Sequence, residues 1–317
     1  MRNVLTRFIL LFTSVIMAFM CLFTGLDSAG SAYRAEEPDK VLLNAVIVSD
    51  THTNDAVTHD HNKTLAKLFA GIGKSKTKVN AIVIPGDLTE EATVKEYASL
   101  AAVIRRNKNG ATVIPALGNH DVRGDMSKED YDVNMQRYYA FCRTVGIRAN
   151  RPYWSETVGG YQFIVLGAEA EIKDCTWFSD EQMQWLEDTL TAAENSGKPV
   201  FIINHQVIDH TNNVDNEWRY YGSIGDQSDA VKEIITRHTD RGLPVVFISG
   251  HLHAAYSEYS FEEPSENLYC LNLPSAQYTE EFGQGCALEV YADRVLIRTR
   301  NFITGELLAD SYTIPLA

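Results

Sequence analysis

Apolar runs that end in short polar clusters recur along this chain and predict a series of buried strands. The run 41–49 (VLLNAVIVS) is apolar almost throughout, as expected of a strand that is buried on both faces. Similar runs lie at 81–85, 111–117, 200–203 and 245–249. Each run is followed by Asp, Asn or His, either directly or after one glycine, so the predicted strands carry polar groups at their carboxyl ends.

Segments with helical spacing of apolar residues separate these runs. They include 62–76, a segment through about 107 with Thr89 as its predicted N-cap, and a segment to about 195 that begins with a capping box at Ser179. Strands that alternate with helices indicate an α/β layer fold. Ligands of such sheets gather at the carboxyl ends of the strands, where the polar clusters lie.

The remaining segments add strands and give no sign of a second domain. Residues 153–167 predict a hairpin around Gly159-Gly160, and 268–300 contain three further strand-like runs. No internal repeat, low-complexity tract or linker is evident after residue 36. The sequence therefore predicts one domain from 37 to 317.

Residues 1–32 have the pattern of an export signal. Arg2 and Arg7 precede a nearly uninterrupted apolar run at 8–23, and small residues follow at 28–32. The run is short for a transmembrane helix, which needs about 20 residues. We expect an exported protein, whether extracellular, periplasmic or in the cell envelope. An uncleaved signal anchor, which would attach the chain to a membrane, is the alternative.

The chain is acidic, with a formal net charge of −14. Because Arg2, Arg7 and Asp27 give the first 32 residues a charge of +1, the remainder carries −15. This charge argues against non-specific binding of nucleic acid or of anionic membranes. It leaves a small anionic substrate possible, since bound metal cations reverse the local potential.

Four cysteines remain after the signal segment: Cys142, Cys175, Cys270 and Cys286. None forms a C-x-x-C pair, so neither a zinc knuckle nor a redox pair is favoured. Export permits disulfides, and a bond between Cys270 and Cys286 across neighbouring strands is one interpretation. Buried free thiols are the other.

The polar clusters combine carboxylates, an amide and imidazoles. Asp50 and His52 alternate along a strand and can point to one place, and His251 and His253 have the same spacing. Nitrogen and oxygen ligands without thiolate suit zinc, iron or manganese. Asp87, in the tight Gly-Asp turn, is the candidate bridge between two ions. The clusters contain Asp50, His52, Asp87, Asn119, His120, Asp121, His205, His251 and His253.

The ordered series D-x-H, G-D, G-N-H-D, H and G-H-x-H over residues 50–253 resembles the calcineurin-like metallophosphoesterase superfamily. The resemblance implies a four-layer α/β/β/α sandwich of two mixed sheets, with the C-terminal strands in the second sheet. It implies that His120 is the acid near the leaving group and that Asp121 orients it. The implied ligands are Asp50, His52, Asp87 and His253 for a first ion, and Asp87, Asn119, His205 and His251 for a second.

The same resemblance implies a phosphoester hydrolase with two divalent ions (Mn, Fe or Zn). Hydroxide held by the ions would attack phosphorus, and His120 would protonate the departing alkoxide. The run Asp87-Leu88-Thr89 is similar to the class III cyclic-nucleotide phosphodiesterases and their exported bacterial relatives. Purple acid phosphatases fit less well, because their pattern places a Tyr soon after Gly-Asp.

We therefore expect hydrolysis of small phosphodiesters, with cyclic nucleotides among the candidates. A secreted phosphomonoesterase that scavenges phosphate is the first alternative, and a non-catalytic metal-binding surface protein is the second. Arg123 is a candidate contact for substrate phosphate. His210, Trp218 and Tyr220, in the long loop 206–225, are candidates for lining the pocket and stacking a base.

Overall fold

The computed structural model describes residues 32–56, 58–122, 128–170, 174–212, 222–278, 282–309 and 311–316. Nearly all of the predicted export signal lies outside these residues, as do Arg123, Trp218 and Tyr220. Within the described ranges, no helix is long and apolar enough to cross a membrane.

Strands and helices alternate over most of the described chain. The strands are β1 (Leu43–Ile47), β2 (Ala81–Ile84), β3 (Thr112–Pro115), β4 (Trp154–Val158), β5 (Tyr161–Val165), β6 (Val200–Ile203), β7 (Val245–Ser249), β8 (Phe261–Ser265), β9 (Leu268–Asn272), β10 (Gln284–Val290), β11 (Arg294–Asn301) and β12 (Tyr312–Pro315). The helices are α1 (Asp60–Gly73), α2 (Val94–Asn107), α3 (Asn119–Val122), α4 (Lys128–Val145), α5 (Asp180–Glu194) and α6 (Ser228–Thr239).

The strands form two mixed six-stranded sheets. The first has the order β12-β11-β10-β1-β2-β3, and β1, β2 and β3 run parallel to one another. The second has the order β4-β5-β6-β7-β9-β8, with parallel pairing from β5 through β9. Antiparallel strands complete both sheets.

Side-chain alternation divides the apolar core into layers. Phe163 and Val165 of β5 join the large core that also contains the strands of the first sheet. Ile164, between them, faces the other way and packs with Leu186 of α5 and Ile235 of α6. This arrangement confirms the predicted α/β class with two sheets and flanking helices.

The prediction for the C-terminal strands was partly wrong. Strand β9 joins the second sheet, but β10 pairs antiparallel with β1, and β10, β11 and β12 extend the first sheet. Strands β8 and β12 were not predicted. Both lie at sheet edges, and β8 (FEEPS) is only partly buried, so it lacks the apolar run that marks a central strand.

The described cysteines are all buried free thiols. Cys270 lies in β9 of the second sheet and Cys286 in β10 of the first, so the interpretation of a bond across neighbouring strands is wrong. Burial raises the pKa of Cys270 to about 12, which keeps this thiol protonated and unreactive at neutral pH.

Helix α2 begins later than Thr89 suggested. Its N-cap is Thr93, whose Oγ accepts from Glu96 N, while Glu96 Oε2 accepts from Thr93 N at 2.9 Å. This reciprocal capping box satisfies two backbone donors at the helix end. Thr89 Oγ instead donates to Asp121 Oδ1 at 2.7 Å.

The predicted capping box of α5 is half formed. Ser179 Oγ accepts from Gln182 N at 3.2 Å, as an N-cap should. The Gln182 side chain turns away and bonds Gly167, and Ser179 N donates to Glu169 Oε2 at 2.8 Å. Glu169 therefore supplies the acceptor expected from Gln182.

Replacing Thr93 by Ala removes the cap of α2. We expect Thr93→Ala to lower the free energy of unfolding by about 1 kcal/mol, a typical value for loss of a Thr N-cap. The matched control is Thr191→Ala on the exposed surface of α5, which should change stability by less than about 0.5 kcal/mol. Urea denaturation of both variants measures the difference, and equal losses would contradict the assigned cap.

Candidate metal centre

Parallel strands bring the predicted clusters to one edge of the two sheets. Asp50 and Asp87 follow β1 and β2 of the first sheet, and Asn119 opens α3 just after β3. His205 and His251 follow β6 and β7 of the second sheet. The two sheets therefore deliver their polar side chains to a common point.

The backbone at this edge is strained at five ligand candidates. Asp50 (φ 52°), His52 (φ 37°), Asp87 (φ 45°), His251 (φ 72°) and His253 (φ 52°) all adopt left-handed conformations. Each such residue costs of order 1 kcal/mol and persists where its surroundings fix it, as at functional sites. The D-x-H and H-x-H pairs thus converge, although through strained turns beyond the strands and not through strand alternation.

Close packing at this edge requires glycine at two positions. A Cβ atom on Gly118 would lie 2.1 Å from both the backbone N and Oδ1 of Asp87. A Cβ atom on Gly250 would lie 2.3 Å from Asp50 Oδ2. The glycines of G-N-H-D and G-H-x-H therefore leave room for the two carboxylates.

The first set of converging atoms belongs to Asp50, His52, Asp87 and His253. One ligand atom from each lies within 4.8 Å of all the others. His253 Nε2 is 3.0 Å from Asp50 Oδ1 and 3.1 Å from His52 Nε2. His52 Nε2 is 3.5 Å from Asp87 Oδ2.

The second set comprises Asp87, His205 and His251, with Asn119 beside them. His205 Nε2 lies 3.2 Å from Asp87 Oδ2, 3.2 Å from His251 Nδ1 and 3.0 Å from Asn119 Oδ1. Asp87 belongs to both sets, and its Oδ2 faces a ring nitrogen of each. Its Oδ1 accepts from His120 N at 2.9 Å.

The arrangement of His205 calls for a cation. Its Nδ1 donates to the carbonyl oxygen of Pro85 at 2.8 Å, so the Nε2 of the neutral ring carries a lone pair. That lone pair faces oxygens of Asp87 and Asn119. Burial lowers the pKa of His205, but the nearby Asp87 carboxylate raises this pKa by more, so that the net value is about 9. A proton therefore occupies this point in the metal-free protein, and a bound ion must displace it.

The carboxylates at this point are ionised at neutral pH. Burial raises the pKa of Asp50, but the histidines around it, above all His253, lower the pKa to about 2. Burial acts on Asp87 in the same way, and His205 and His52 lower its pKa well below the usual range. Imidazole nitrogens and ionised carboxylates without thiolate fit zinc, iron or manganese.

Two further carboxylates orient these ligands, and neither was predicted from the sequence. Glu90 Oε2 accepts from His52 Nδ1 at 3.1 Å, which directs His52 Nε2 to the centre. Asp174 Oδ1 accepts from Asn119 Nδ2 at 3.2 Å, which turns the amide oxygen toward His205. Glu90 lies three residues after Asp87 and could have been suspected, whereas Asp174 lies in a loop without any motif.

His120 lies beside the centre and is oriented by Glu90. Its Nδ1 lies 2.8 Å from the Glu90 carbonyl oxygen and 3.6 Å from Glu90 Oε1. Its Nε2 is 4.0 Å from Asp87 Oδ2. The hydrogen bond from His52 lowers the pKa of Glu90 to about 2, so an anion lies beside both rings.

The hydrogen bonds of Asp121 reach two turns and helix α2. Its carboxylate is buried and ties the turn after β2 to the turn after β3, and the His120 ring is not among its hydrogen-bond donors. That Asp121 orients His120 stays a prediction; in this structure the partner of His120 Nδ1 is the Glu90 carbonyl oxygen, so such an effect would act through the turn that carries both residues. Its donors are Leu88 N, Thr89 N, Thr89 Oγ, Tyr97 Oη and Gly118 N.

His210 is the one predicted substrate contact within the described residues. It lies in a turn after β6, is exposed, and places its Nε2 3.7 Å from Asp209 Oδ2. Its contact with substrate stays a prediction, as do those of Arg123, Trp218 and Tyr220.

The sequence matches the calcineurin-like phosphoesterase family over residues 43–255, which is most of the chain and includes both ligand sets. The chain belongs to this family. As a calcineurin-like phosphoesterase it is a metal-dependent hydrolase, and its clustered His and Asp side chains can bind metal ions.

Curated relatives share low identity with this phosphoesterase. The human manganese-dependent ADP-ribose/CDP-alcohol diphosphatase is 28% identical over 134 residues, which are 41% of this chain and 35% of that protein. The match thus spans about a third of the human protein. A probable cyclic nucleotide phosphodiesterase of Rhodococcus erythropolis is 23% identical over 274 residues, or 80% of this chain and 81% of that one.

Solved structures share the fold. A dimetal phosphatase from Danio rerio superposes with a TM-score of 0.64 at 14% identity, covering 87% of this chain and all of that one. A purple acid phosphatase from yellow lupin superposes with a TM-score of 0.61 at 14% identity, covering 86% of this chain and 53% of that one. At these identities the likeness concerns the fold alone.

Replacing Asp121 by Asn tests its structural role. We expect Asp121→Asn to lower the free energy of unfolding by about 1–3 kcal/mol, because the new amide group would face buried N–H donors. It should also weaken Mn²⁺ binding, since the turn that carries Asp87 loses its anchor. Asp188→Asn on the exposed surface of α5 is the matched control. If Asp121→Asn is as stable as the wild-type protein and binds Mn²⁺ equally tightly, this structural role is contradicted.

Proposed function

We propose that this calcineurin-like phosphoesterase hydrolyses small phosphodiesters, with cyclic nucleotides among its substrates, at a centre for two ions. The observation that carries the proposal is that Asp87 belongs to two converging ligand sets and that His120 lies beside them. The proposed ligands are Asp50, His52, Asp87 and His253 for one ion, and Asp87, Asn119, His205 and His251 for the other.

The residues around the centre hold these ligands in position before substrate binds. Two divalent ions bound there would neutralise phosphate oxygens and provide a nucleophile at neutral pH. Glu90 and Pro85 O accept the Nδ1 protons of His52 and His205, so both rings present Nε2. Buried, ionised Asp50 and Asp87 supply the compensating negative charge. Ligand orientation thus requires little reorganisation during the reaction.

His120 is the proposed proton donor to the leaving group. Its Nδ1 donates to Glu90 O, which leaves Nε2 on the side of Asp87. The carboxylates of Glu90 and Asp87 stabilise the imidazolium, which can then protonate an alkoxide oxygen as it departs. Asp121 contributes indirectly, because it anchors the turns that hold Asp87 and His120.

Charge and similarity both support a diester of nucleotide type. A phosphodiester carries one negative charge, whereas a monoester carries up to two. The Glu90 carboxylate beside the centre repels the second negative charge of a monoester. The Rhodococcus erythropolis and human relatives carry names that describe cyclic nucleotides, ADP-ribose and CDP-alcohols. All of these contain a nucleotide in which phosphorus has two ester or anhydride links.

The substrate class is tested by steady-state kinetics of the Mn²⁺-loaded protein. The panel comprises 3′,5′-cyclic AMP, ADP-ribose, CDP-choline, bis-p-nitrophenyl phosphate and p-nitrophenyl phosphate. We expect a higher kcat/KM for the diesters than for the monoester, and loss of turnover in Asp87→Asn. A preference for the monoester would instead indicate phosphate scavenging. Metal binding without turnover of any substrate would indicate a non-catalytic metal-binding protein.

Replacing His120 by Ala separates proton donation from metal binding. His120→Ala should retain both ions but lose about 10²-fold in kcat on 3′,5′-cyclic AMP, whose leaving alkoxide needs a proton. On bis-p-nitrophenyl phosphate the loss should be much smaller, because p-nitrophenolate leaves without one. The two substrates therefore act as internal controls, together with metal analysis of the variant. Equal losses on both, or loss of an ion, would rule out this role.

A further inference from the structure

Tyr278 is a large aromatic residue that lies exposed beside the ligand sets. The residue is 46% exposed. Its ring stacks on His253, with centroids 5.3 Å apart and an interplanar angle of 8°. It also meets His52 edge to face, at 4.6 Å and 80°. An aromatic ring that contacts two proposed ligands of one ion and still faces solvent is placed to meet a substrate.

The position of Tyr278 is fixed by hydrogen bonds. Its hydroxyl donates to Glu90 Oε2 at 2.9 Å, the oxygen that also accepts from His52. Its backbone N donates to Ser275 Oγ at 3.0 Å, and this hydroxyl donates to the carbonyl oxygen of Asp50 at 3.0 Å. The loop after β9 is thereby attached to the turn after β1, and the ring needs little ordering on binding.

Two histidine rings continue the surface away from the centre. His61 meets Tyr278 at 5.2 Å and 88°, and His59 meets His61 at 4.7 Å and 87°. Gln277 Nε2 donates to His61 O at 3.0 Å and joins the two segments. We call Tyr278, His61 and His59 the aromatic rim. It leads from the proposed ligand His253 to solvent at the start of α1.

The chemistry of the rim suits a planar, uncharged group. Aromatic rings attract such groups by stacking, and base stacking on an aromatic side chain is tolerant of base identity. The Glu90 carboxylate, bonded to the Tyr278 hydroxyl, disfavours a second phosphate at this point. A substrate with phosphorus at the ions and a flat ring a few bonds away matches both features.

We propose that the aromatic rim is the subsite for the nucleobase of a nucleotide substrate, with Tyr278 as its main stacking surface. The inference rests on the proposed function, because it takes the phosphorus of that substrate to lie at the two-ion centre. It adds a specificity-determining residue that no sequence motif indicates. Tyr278 follows the last motif by 25 residues and reaches the centre only through the loop after β9.

The test compares AMP with ribose 5-phosphate, in which a hydroxyl group replaces the base. Calorimetric titration of Mn²⁺-loaded protein with AMP and with ribose 5-phosphate gives the ratio of their Kd values. We expect wild-type protein to bind AMP about 10-fold more tightly, as stacking of one base predicts. Tyr278→Ala should bring this ratio close to one, and taking the ratio cancels any change in phosphate binding that both ligands share.

Tyr278→Phe is the matched control, since it keeps the ring and removes only the hydrogen bond to Glu90. It should keep the wild-type ratio of the two Kd values. A wild-type ratio near one, or a ratio that survives in Tyr278→Ala, would overturn the inference. Because the readout is binding, these outcomes are distinct from failure of the proposed function, which would be absence of diester turnover by wild-type protein.

Discussion

Asp87 Oδ2 is the atom on which the geometry of the centre depends. Ring nitrogens of His52 and His205 approach it from the two sides, at 3.5 Å and 3.2 Å. These histidines come from different sheets, so the position of this oxygen also reflects how the sheets pack. A buried group of carboxylates and lone pairs is costly unless a cation joins it. Histidine protons fill this role without metal, and ions would replace them.

A layer of hydrogen bonds around the ligands directs their donor atoms toward the centre. Glu90 orients His52 and His120, Pro85 O orients His205, and Asp174 orients Asn119. Asp121 makes five hydrogen bonds: its two carboxylate oxygens accept from donors in the turns after β2 and β3 and in α2. Replacing Glu90 or Asp174 would therefore disturb a proposed metal ligand that lies in another segment of the chain.

Sequence patterns predicted the features that depend on residues close together in the chain. Buried central strands have apolar runs, and the polar residues that follow them converge because parallel strands end at one edge. Partners that depend on packing were not evident: Thr89 has the local chemistry of a helix cap, yet its hydroxyl is used by Asp121. Glu90, Asp174 and Tyr278 gain their places from contacts between distant segments, and edge strands β8 and β12 lack an apolar signature.

The most direct measurement of the central claim is the electron paramagnetic resonance spectrum of protein loaded with Mn²⁺. If Asp87 joins two ions, the protein should bind two Mn²⁺ per chain and show the spectrum of an exchange-coupled pair. Asp87→Asn should lose the coupling, because it removes the shared carboxylate. Two isolated Mn²⁺ signals in wild-type protein, or unchanged coupling in Asp87→Asn, would contradict the account.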